Sequence, residues 1–516
     1  MPILEAEENL NFASFSVPRE SLDTHIMSIG APGSGKTLCL KMTLHSVLKM
    51  CKPRSGVKVI VIDTKGDLLP VALAATKKNE VPLYYINQGD SRSVSPSGGV
   101  CGYAWDIAKD CQGRESYIQE MLSIIFPASE HEPMWQQAAA LLANGSIVDK
   151  LSWQLATIYD FFFSGTKSMR EVLSKTDFGR AIKEIIVDSH ADKTRDGIII
   201  NAVSSIYRFM TAAAHQYYTP KERWLSLKEF VYGGEGVLVL GRDSSCPEVS
   251  NPLIQAMFQS IVNFINMRPE TNKKDIFVFI DELPFLGKLS GLTQMLTFQR
   301  SKGVSAYVTT QGIEALENVY GSEAVGTIAT TCGIKIIGRA NSPSTAEWCV
   351  RAGGKKLVLR KTSQYRRNAY GTLVHSVDSQ YIERDCHTTS DFLHLPETNR
   401  INGLNFHFFS PFTDRDNTWY QLLPEDVDDL LPPEIECPFI PLAADKMRLP
   451  PLGASLPTPD EELEELYKVV EEAINNPTWK KEFLAKYPSV GEFVLSILQN
   501  ELDESIDSLA KYLSQD

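Results

Sequence analysis

One segment near the start of the chain, residues 30–37, constrains the fold more than any other part of the sequence. It reads GAPGSGKT and matches the pattern G-x-x-x-x-G-K-[ST] throughout. An apolar run at 25–29 precedes it and a helical pattern at 38–44 follows it, so the sequence predicts a strand, a loop and a helix in that order. The backbone N–H groups of such a loop and the positive end of the helix suit a polyphosphate. The predicted nucleotide-binding residues are Gly30, Ala31, Pro32, Gly33, Ser34, Gly35, Lys36 and Thr37.

The composition is that of a soluble globular protein, with 43% hydrophobic and 22% charged residues over a length of 516. That length exceeds one ordinary domain. The sequence has no apolar run of membrane-spanning length, and its first residues are acidic, so it predicts neither a transmembrane helix nor a secretory signal. Nine cysteines are scattered without a C-x-x-C pair, which favours free thiols in a reducing cytoplasm.

The net charge of −13 is concentrated at the carboxyl end of the chain. Residues 423–516 contain 21 acidic and 7 basic side chains, which leaves 43 acidic and 44 basic side chains over 1–422. The body of the protein is therefore nearly neutral, and a local basic surface remains compatible with an anionic polymer such as nucleic acid. The acidic tail is excluded as such a surface.

Short apolar runs alternate with helical patterns along most of the chain. Runs that suit buried parallel strands occur at 57–63, 83–86, 236–240, 276–280, 305–309 and 333–337. Helical patterns such as 251–267 and 291–301 separate them. The alternation predicts an α/β fold, a RecA-like P-loop domain in which helices cover a sheet.

Two segments interrupt this alternation. Residues 110–227 show helical spacing almost throughout and predict an all-α domain inserted into the nucleotide-binding domain. Proline recurs from 431 to 459, which is typical of a linker. The sequence thus predicts a nucleotide-binding domain in two parts, at 1–109 and 228–422, with the all-α domain at 110–227 between them. A proline-rich linker at 423–459 and an acidic helical tail module at 460–516 follow.

A second strong signal is the sequence DIFVFIDE at 275–282, an apolar strand that ends in two acids. A buried strand ending this way is common by itself, but beside a phosphate loop it predicts hydrolysis. Asp281 is then expected to hold Mg²⁺ together with the hydroxyl of Thr37, while Glu282 deprotonates the attacking water. Lys36 is expected to reach the β- and γ-phosphates.

Two further polar residues stand next to the strand predicted at 305–309. Gln311 follows this strand, where it suits contact with the γ-phosphate or its water, or a polar cluster without a catalytic role. Arg300 ends the preceding helix, where a cation also compensates the helix dipole. As an arginine finger, Arg300 would enter the site of a neighbouring subunit.

The order of these motifs resembles one family. GAPGSGKT is followed by DTKGD at 63–67, by the helical insertion and by IDELP at 280–284, an order similar to that of the type IV coupling proteins. These are TraD/TraG-like hexameric ATPases of conjugation and type IV secretion, related to the FtsK and HerA motors. The D-x-K-G-D/E element separates them from most other P-loop families. Further matches, within a resemblance that covers roughly 15–410, lie at 135–142, 299–303, 310–311, 338–339 and 345–347.

The resemblance implies ATP and Mg²⁺ as cofactors and a hexameric ring with ATP sites between subunits. By the same resemblance the functional residues are Lys36 and Thr37 for phosphate and Mg²⁺, Asp281 and Glu282 as the Walker B pair, Gln311 as a nucleotide sensor and Arg300 as the arginine that acts in the neighbouring subunit. Family members usually begin with transmembrane helices, whereas the phosphate loop begins here at residue 30. We therefore expect a cytoplasmic ring that reaches the inner membrane only through a partner.

Candidate DNA contacts are less distinct. A basic stretch with interleaved tyrosines suits a phosphate backbone and suits a solvated hairpin equally well. Its candidate contacts are Lys355, Lys356, Arg366 and Arg367. Lys288 follows the Walker B strand, where related motors often have a pore-facing loop, although a plain surface lysine is an equal interpretation. The amphipathic acidic tail at 460–516 fits docking of a partner, or packing on itself.

Three functional hypotheses remain open. The first is a DNA-dependent ATPase motor that recruits and translocates DNA or nucleoprotein in conjugative transfer, with the relaxase complex or secretion components as partners of the all-α domain or the tail. The second is a ring that ATP assembles mainly as a platform for cargo recruitment. The third is a HerA/FtsK-like cytosolic DNA motor in defence or chromosome handling. Stimulation of ATP hydrolysis by DNA separates a motor from a platform.

Overall fold

Strands occupy the seven apolar runs in which the sequence predicts them. The computed structural model describes residues 9–12, 15–18, 24–127, 133–188, 192–367, 370, 373–411 and 418–449. Within these ranges the strands are β1 (Asn9–Phe12), β2 (Phe15–Pro18), β3 (Ile26–Ile29), β4 (Lys58–Asp63), β5 (Leu83–Ile86), β6 (Ala104–Trp105), β7 (Trp224–Leu225), β8 (Gly236–Gly241), β9 (Ile276–Ile280), β10 (Val304–Thr310), β11 (Ile334–Ile337), β12 (Lys355–Arg367), β13 (Leu373–Asp385), β14 (Leu404–Phe409) and β15 (Trp419–Leu422).

Helices connect most of these strands. They are α1 (Lys36–Leu48), α2 (Leu69–Asn79), α3 (Ile107–Cys111), α4 (Glu115–Ile125), α5 (Pro133–Ser146), α6 (Leu155–Phe163), α7 (Gly165–Leu173), α8 (Asp177–Ile182), α9 (Asp192–Tyr207), α10 (Met210–Tyr218), α11 (Leu227–Tyr232), α12 (Pro247–Asn266), α13 (Leu292–Phe298), α14 (Ile313–Tyr320), α15 (Ser322–Thr331), α16 (Pro343–Gly353), α17 (Thr389–Leu393) and α18 (Pro424–Leu430). The helices predicted at 251–267 and 291–301 correspond to α12 and α13, so their existence is confirmed, with ends displaced by a few residues.

A nine-stranded sheet organises the body, in the order β15-β14-β11-β3-β10-β9-β4-β8-β5. The seven strands from β11 to β5 are parallel, and β14 and β15 extend one edge in antiparallel fashion. Because parallel strands end at the same edge, the loops after β3, β4, β9 and β10 lie together. The predicted α/β class is confirmed.

The central strands are buried on both faces, which explains their unbroken apolar runs. Along β4, Val59 and Val61 face one core while Ile60 and Ile62 face the other. The core containing Val59 lies under α1 and α2. The core containing Ile60 lies under α12 to α15 and continues into the helices α4 to α10. The inserted helices thus share one continuous core with the sheet.

Helices α3 to α10 leave and rejoin the body at a short parallel bridge between β6 and β7. Asp110 closes this junction with both oxygens. It accepts hydrogen bonds from Nε1 of Trp105 at 2.7 Å, from Oγ of Ser226 at 2.6 Å, and from the backbone N–H groups of Leu227 and Lys228. Burial raises the pKa of Asp110 to about 6. The two ends of the helical segment are therefore tied to one buried carboxyl.

A long hairpin, β12 with β13, forms a separate two-stranded sheet. One of its faces carries large apolar side chains that are 42% to 70% exposed, namely Leu357, Leu359, Tyr365, Leu373, Val377 and Tyr381. A two-stranded hairpin is marginal by itself, and an exposed apolar face marks an interaction surface. The basic stretch thus forms a hairpin, and its contact with DNA stays a prediction.

The remaining sequence predictions on organisation have different outcomes. The described residues up to 449 cluster as one compact unit, and the proposed domain boundaries stay predictions. The predicted linker includes α18 and buries Val427 and Cys437 against the body. The acidic module at 460–516 lies outside the described residues. Among the residues described, no single helix is long and apolar enough to cross a membrane, although Lys193–Tyr207 and Met210–Tyr218 pass as a pair bent by 57°.

Candidate nucleotide-binding and hydrolysis site

The loop at 30–37 connects β3 to α1 and is held from three sides. The backbone N–H of Gly30 donates to the carbonyl of Thr310 at 3.2 Å, and that of Ala31 donates to the carbonyl of Arg339 at 2.7 Å. The carbonyl of Gly33 accepts from the N–H of Thr398 at 3.1 Å. The end of β10, the end of β11 and the segment before β14 thus fix the loop, which leaves its inner N–H groups for an anion.

Gly35 shows why this loop needs glycine before the lysine. Its φ is 85°, in the left-handed region that favours glycine. A Cβ at this position would lie 2.2 Å from Cδ1 of Leu404 and 2.8 Å from Oγ1 of Thr398. Backbone conformation and close packing therefore both exclude a side chain where α1 begins.

Lys36 is buried at the floor of the loop. Its Nζ donates to the carbonyls of Gly30 and Ala31 and lies 3.6 Å from Oε1 of Glu282. Burial lowers the pKa of Lys36, and the charge of Glu282 opposes that shift. The structure thus brings the predicted phosphate-binding lysine and the predicted base together.

Asp281 follows β9 and is held by hydroxyl groups from the strands on both sides. Oγ1 of Thr64, after β4, donates to its Oδ2 at 3.1 Å, and Oγ1 of Thr309, in β10, donates to its Oδ1 at 3.4 Å. Burial raises the pKa of Asp281 to about 6, partly offset by Lys65. The carboxyl is thus fixed in direction at the edge where the strands end.

Glu282 is the next residue and has an unusual backbone. Its φ of 48° places it in the left-handed region, and its backbone N–H donates to Oγ1 of Thr309 at 2.8 Å. The side chain is 2% exposed. Oε2 is buried and has no hydrogen-bond partner within the described part of the chain. A strained, buried acid with an unsatisfied oxygen is a typical feature of a functional site.

The D-x-K-G-D element forms the opposite wall. Both oxygens of Asp63 accept backbone N–H groups, from Gly66 at 2.8 Å and from Leu69 at 2.9 Å among others. Lys65 extends from this loop, with Nζ 3.5 Å from Oε1 of Glu282. From sequence, this element contributes only to the family resemblance, and Lys65 has no predicted role. The signal was the position of a lysine directly after a buried strand that ends beside the phosphate loop.

These groups enclose a cleft of about 330 Å³. It is lined by Pro32, Gly33, Ser34, Gly35, Lys36, Thr37, Leu38, Lys65, Glu282, Gln311 and Thr398. Gln311 is therefore at the site, as the sequence predicts, and Thr398 is a wall residue that sequence reasoning missed. Thr37 and Asp281 supply hydroxyl and carboxylate oxygens, the donor type that Mg²⁺ prefers when it keeps several waters. No cluster of three or more His, Cys, Asp or Glu suits a metal among the described side chains.

Arg300 lies at the other end of the same sheet. It stands before β10, whereas Gln311 stands after it, and the backbone N–H of Gly303 and Nζ of Lys274 both donate to its carbonyl. The seven residues of β10 span roughly 20 Å. This separation exceeds the reach of an arginine side chain, so Arg300 does not reach the cleft of its own chain.

The candidate DNA contacts are on two separate surfaces. Lys355 and Lys356 begin β12 at the base of the hairpin, and Arg366 and Arg367 end it near the tip. Lys288 is exposed after β9 and lines a cleft of about 580 Å³ between α12 and the inserted helices. The structure therefore does not join these five cations into one patch.

The comparisons with known proteins decide the family. Residues 9–404 match the family model of the type IV secretion-system coupling protein DNA-binding domain. The chain belongs to this family. Among its relatives, coupling protein TraD of Escherichia coli strain K12 is 21% identical over 375 residues, which cover 70% of this chain and 48% of TraD. Conjugal transfer protein TraG of Escherichia coli is 28% identical over 425 residues, which cover 74% of this chain and 63% of TraG.

The coupling-protein fold is also seen in solved structures of the coupling protein TrwB. Unbound TrwBdeltaN70 matches with a TM-score of 0.61 at 17% identity, over 82% of this chain and 90% of that one. TrwB in complex with ADP and Mg²⁺ matches with a TM-score of 0.59 at 16% identity, over 86% of this chain and 93% of that TrwB chain. The likeness confirms the RecA-like fold. The chain spans about half to just under two thirds of the length of the TraD and TraG relatives.

Proposed function

We propose that this chain is a DNA-dependent ATPase motor of the coupling-protein kind, which moves DNA or nucleoprotein in conjugative transfer. One observation carries the proposal. The buried Glu282 lies with one oxygen 3.6 Å from Lys36 and the other without a partner among the described residues. A protein that only binds nucleotide has no need for a strained, buried acid at this place.

Lys36, Thr37, Glu282 and Gln311 line the cleft, and the buried Asp281 precedes Glu282. Lys36 and the N–H groups of the loop bind and orient the phosphates, and Thr37 with Asp281 would hold Mg²⁺, which neutralises charge on the phosphate oxygens. Glu282 accepts the proton of the attacking water at Oε2. Gln311, at the rim of the cleft, orients that water. TrwB, which has the same fold, has been solved with ADP and Mg²⁺ and with a non-hydrolysable ATP analogue.

Arg300 completes the site from a neighbouring subunit. Its distance from its own cleft, roughly the length of β10, is the reason for this assignment. A cation delivered to the transition state from the next subunit couples hydrolysis to the contact between subunits. A ring, hexameric as in the resembling family, provides such a contact at every site.

DNA contact is proposed at two places. Lys288 and Arg208 line the polar cleft beside the inserted helices, together with serine and amide side chains. The strand β12 carries only basic charged side chains, whereas β13 also carries Asp378, Glu383 and Asp385. A phosphate backbone would therefore run along β12 and the hairpin tip rather than along β13.

A second candidate function is the ATP-assembled recruitment platform. The exposed apolar face of the hairpin favours it, because aliphatic side chains such as Leu357 and Leu359 suit a protein partner better than a phosphate backbone. Relaxase or secretion components are the proposed cargo, and a partner protein is the proposed route to the membrane. The acidic tail, which we propose as a docking module for such cargo, lies outside the described residues.

Hydrolysis of ATP by the full chain, measured with and without DNA, tests the proposal. A motor hydrolyses ATP faster with DNA, and Glu282→Gln lowers kcat by about 100-fold or more while nucleotide still binds. Lys36→Ala removes nucleotide binding. Stimulation by a partner protein and not by DNA would support the platform instead. An active Glu282→Gln enzyme would exclude Glu282 as the base.

A further inference from the structure

Lys65 stands between the phosphate loop and the acidic pair. Its Nζ lies 3.5 Å from Oε1 of Glu282 and 3.9 Å from Oδ2 of Asp281, and its side chain is 35% exposed to the cleft. Lys36 lies 3.6 Å from the same Oε1. One oxygen of Glu282 is therefore shared by two ammonium groups that come from different strand ends.

The backbone below Lys65 is fixed. The carboxylate of Asp63 accepts the N–H groups of Lys65 at 3.4 Å, Gly66 at 2.8 Å, Leu68 at 3.0 Å and Leu69 at 2.9 Å. Oγ1 of Thr64 donates to Asp281. Since the loop backbone is anchored to the start of α2 and to Asp281, the Lys65 side chain can change direction within the cleft while the backbone stays in place.

Glu282 has a complementary asymmetry. Oε1 is next to both lysines, whereas the buried Oε2 has no hydrogen-bond partner in the described ranges. A buried carboxylate oxygen without a partner is costly and indicates a group that acts on something outside the chain. The two lysines pair with Oε1 of Glu282 and leave Oε2 without a hydrogen bond from the described residues.

We propose that Lys65 makes the site distinguish ATP from ADP. Its ammonium pairs with Glu282 while no third phosphate is present, and it exchanges this contact for the terminal phosphate of ATP. Glu282 then keeps only Lys36 beside Oε1 and is able to turn toward the water. The inference rests on the proposed ATPase function and adds the step by which the base is released.

Equilibrium binding of fluorescent ATP and ADP analogues to the full chain tests this step without turnover. Lys65→Ala is expected to lower the affinity for the ATP analogue about tenfold, which is the effect of one charge-assisted contact. The affinity for the ADP analogue is expected to fall by less than about twofold. Lys65→Arg restores most of the ATP affinity. Lys78→Ala, an exposed lysine at the end of α2, is the matched control and changes neither affinity.

Removing the acid gives a second, independent readout. Glu282→Gln frees both Lys36 and Lys65, so affinity rises for both nucleotides and more for ATP, and the difference between the two gains disappears in the double variant with Lys65→Ala. Equal weakening of the binding of both nucleotides by Lys65→Ala, or a larger gain for ATP that persists in the double variant, overturns the inference. Lys65→Met, which keeps the length of the side chain, replaces Lys65→Ala if that variant unfolds.

The outcomes also separate this inference from the proposed function. If DNA fails to stimulate hydrolysis but Lys65→Ala lowers affinity for ATP more than for ADP, the motor function is rejected and the role of Lys65 stands. If hydrolysis responds to DNA but Lys65→Ala binds both nucleotides as the wild type does, the motor stands and the role of Lys65 is rejected.

Discussion

The backbone N–H of Glu282 donates to Oγ1 of Thr309 at 2.8 Å, and this hydroxyl in turn donates to Oδ1 of Asp281 at 3.4 Å. One threonine in β10 thus holds both acids that follow β9. The left-handed backbone of Glu282, with φ of 48°, costs about 1–2 kcal/mol for a residue with a Cβ. The bond to Thr309 helps to offset this cost, and it aims the carboxylate at the cleft.

Thr309→Val keeps the shape of the side chain and removes the hydroxyl. We expect a loss of about 1–3 kcal/mol in the free energy of unfolding, because the N–H of Glu282 is left buried and unpaired. We also expect kcat for ATP to fall about tenfold with nucleotide affinity nearly unchanged, since the base is misplaced while the loop at 30–37 is intact.

Chemical denaturation and steady-state kinetics measure both effects. Thr330→Val is the matched control, because it removes a hydroxyl that donates one hydrogen bond, to the carbonyl of Gly326, at an exposed position on α15. A Thr309→Val protein with wild-type kcat would show that the backbone at Glu282 keeps its conformation without the hydroxyl of Thr309.

Arg300→Ala is expected to bind ATP with wild-type affinity and to lose most turnover, because the arginine acts in another subunit's cleft. Mixing it with Lys36→Ala in equal amounts creates complete sites where an intact cleft meets an intact Arg300, at about one quarter of the interfaces of a ring. The rate of ATP hydrolysis by the mixture should therefore exceed that of either variant alone. Native mass spectrometry would show whether the rings contain both variants. If mixed rings form and ATPase activity does not recover, Arg300 does not contact the transition state in a neighbouring subunit.

The hairpin cations are expected to contribute to DNA affinity through charge. Two double variants, Lys355→Gln with Lys356→Gln at the base and Arg366→Gln with Arg367→Gln near the tip, distinguish the ends of a surface about 35 Å long. Each variant that removes phosphate contacts should lower the slope of log affinity against log salt by about 1–2. DNA titrations at several salt concentrations measure this slope.

Lys49→Gln with Lys52→Gln removes two exposed charges away from the hairpin and is the control for net charge. If this pair lowers the slope as much as the hairpin variants do, the hairpin has no specific part in binding DNA. A wild-type slope in all variants would leave the hairpin as a protein-binding surface.

Asp110→Ala should destabilise the junction of the inserted helices by about 3 kcal/mol, because it leaves the indole of Trp105 and two backbone N–H groups unpaired. Thermal unfolding followed by tryptophan fluorescence measures the loss. Lys109→Ala, in the same helix α3, removes only an exposed ion pair with Glu229 and should change stability by less than about 1 kcal/mol.

The same carboxyl predicts a pH dependence. Burial raises the pKa of folded Asp110 to about 6, above its value of about 3.9 in an unfolded chain. The folded state therefore binds the proton more tightly, so the contribution of this group to stability is complete below about pH 4 and is lost as the pH rises through 6. Stability curves for the wild type and Asp110→Asn should diverge over this interval, and parallel curves would contradict the shifted pKa.

Local sequence was sufficient for several parts of the fold. The apolar runs predicted β3, β4, β5, β8, β9, β10 and β11, because strands buried on both faces require unbroken apolar residues. β14 and β15 were not predicted, since β14 pairs with β11, about 70 positions earlier, and β15 is a short edge strand. The basic stretch in β12–β13 left two alternatives open, a phosphate-binding surface and a solvated hairpin, because its charged and aromatic residues suit both.

The amino-acid sequence is enough to recognise a phosphate loop, a strand ending in Asp281 and Glu282, and the D-x-K-G-D element in one chain. Which of their side chains meet depends on the fold. The sheet order places β4 and β10 on either side of β9, so Lys65 and Thr309, 244 positions apart, contact the same acid. It also places Arg300 at the far edge. Such long-range pairing depends on how strands are ordered and not on local preference, and the order is set by burial of the whole sheet.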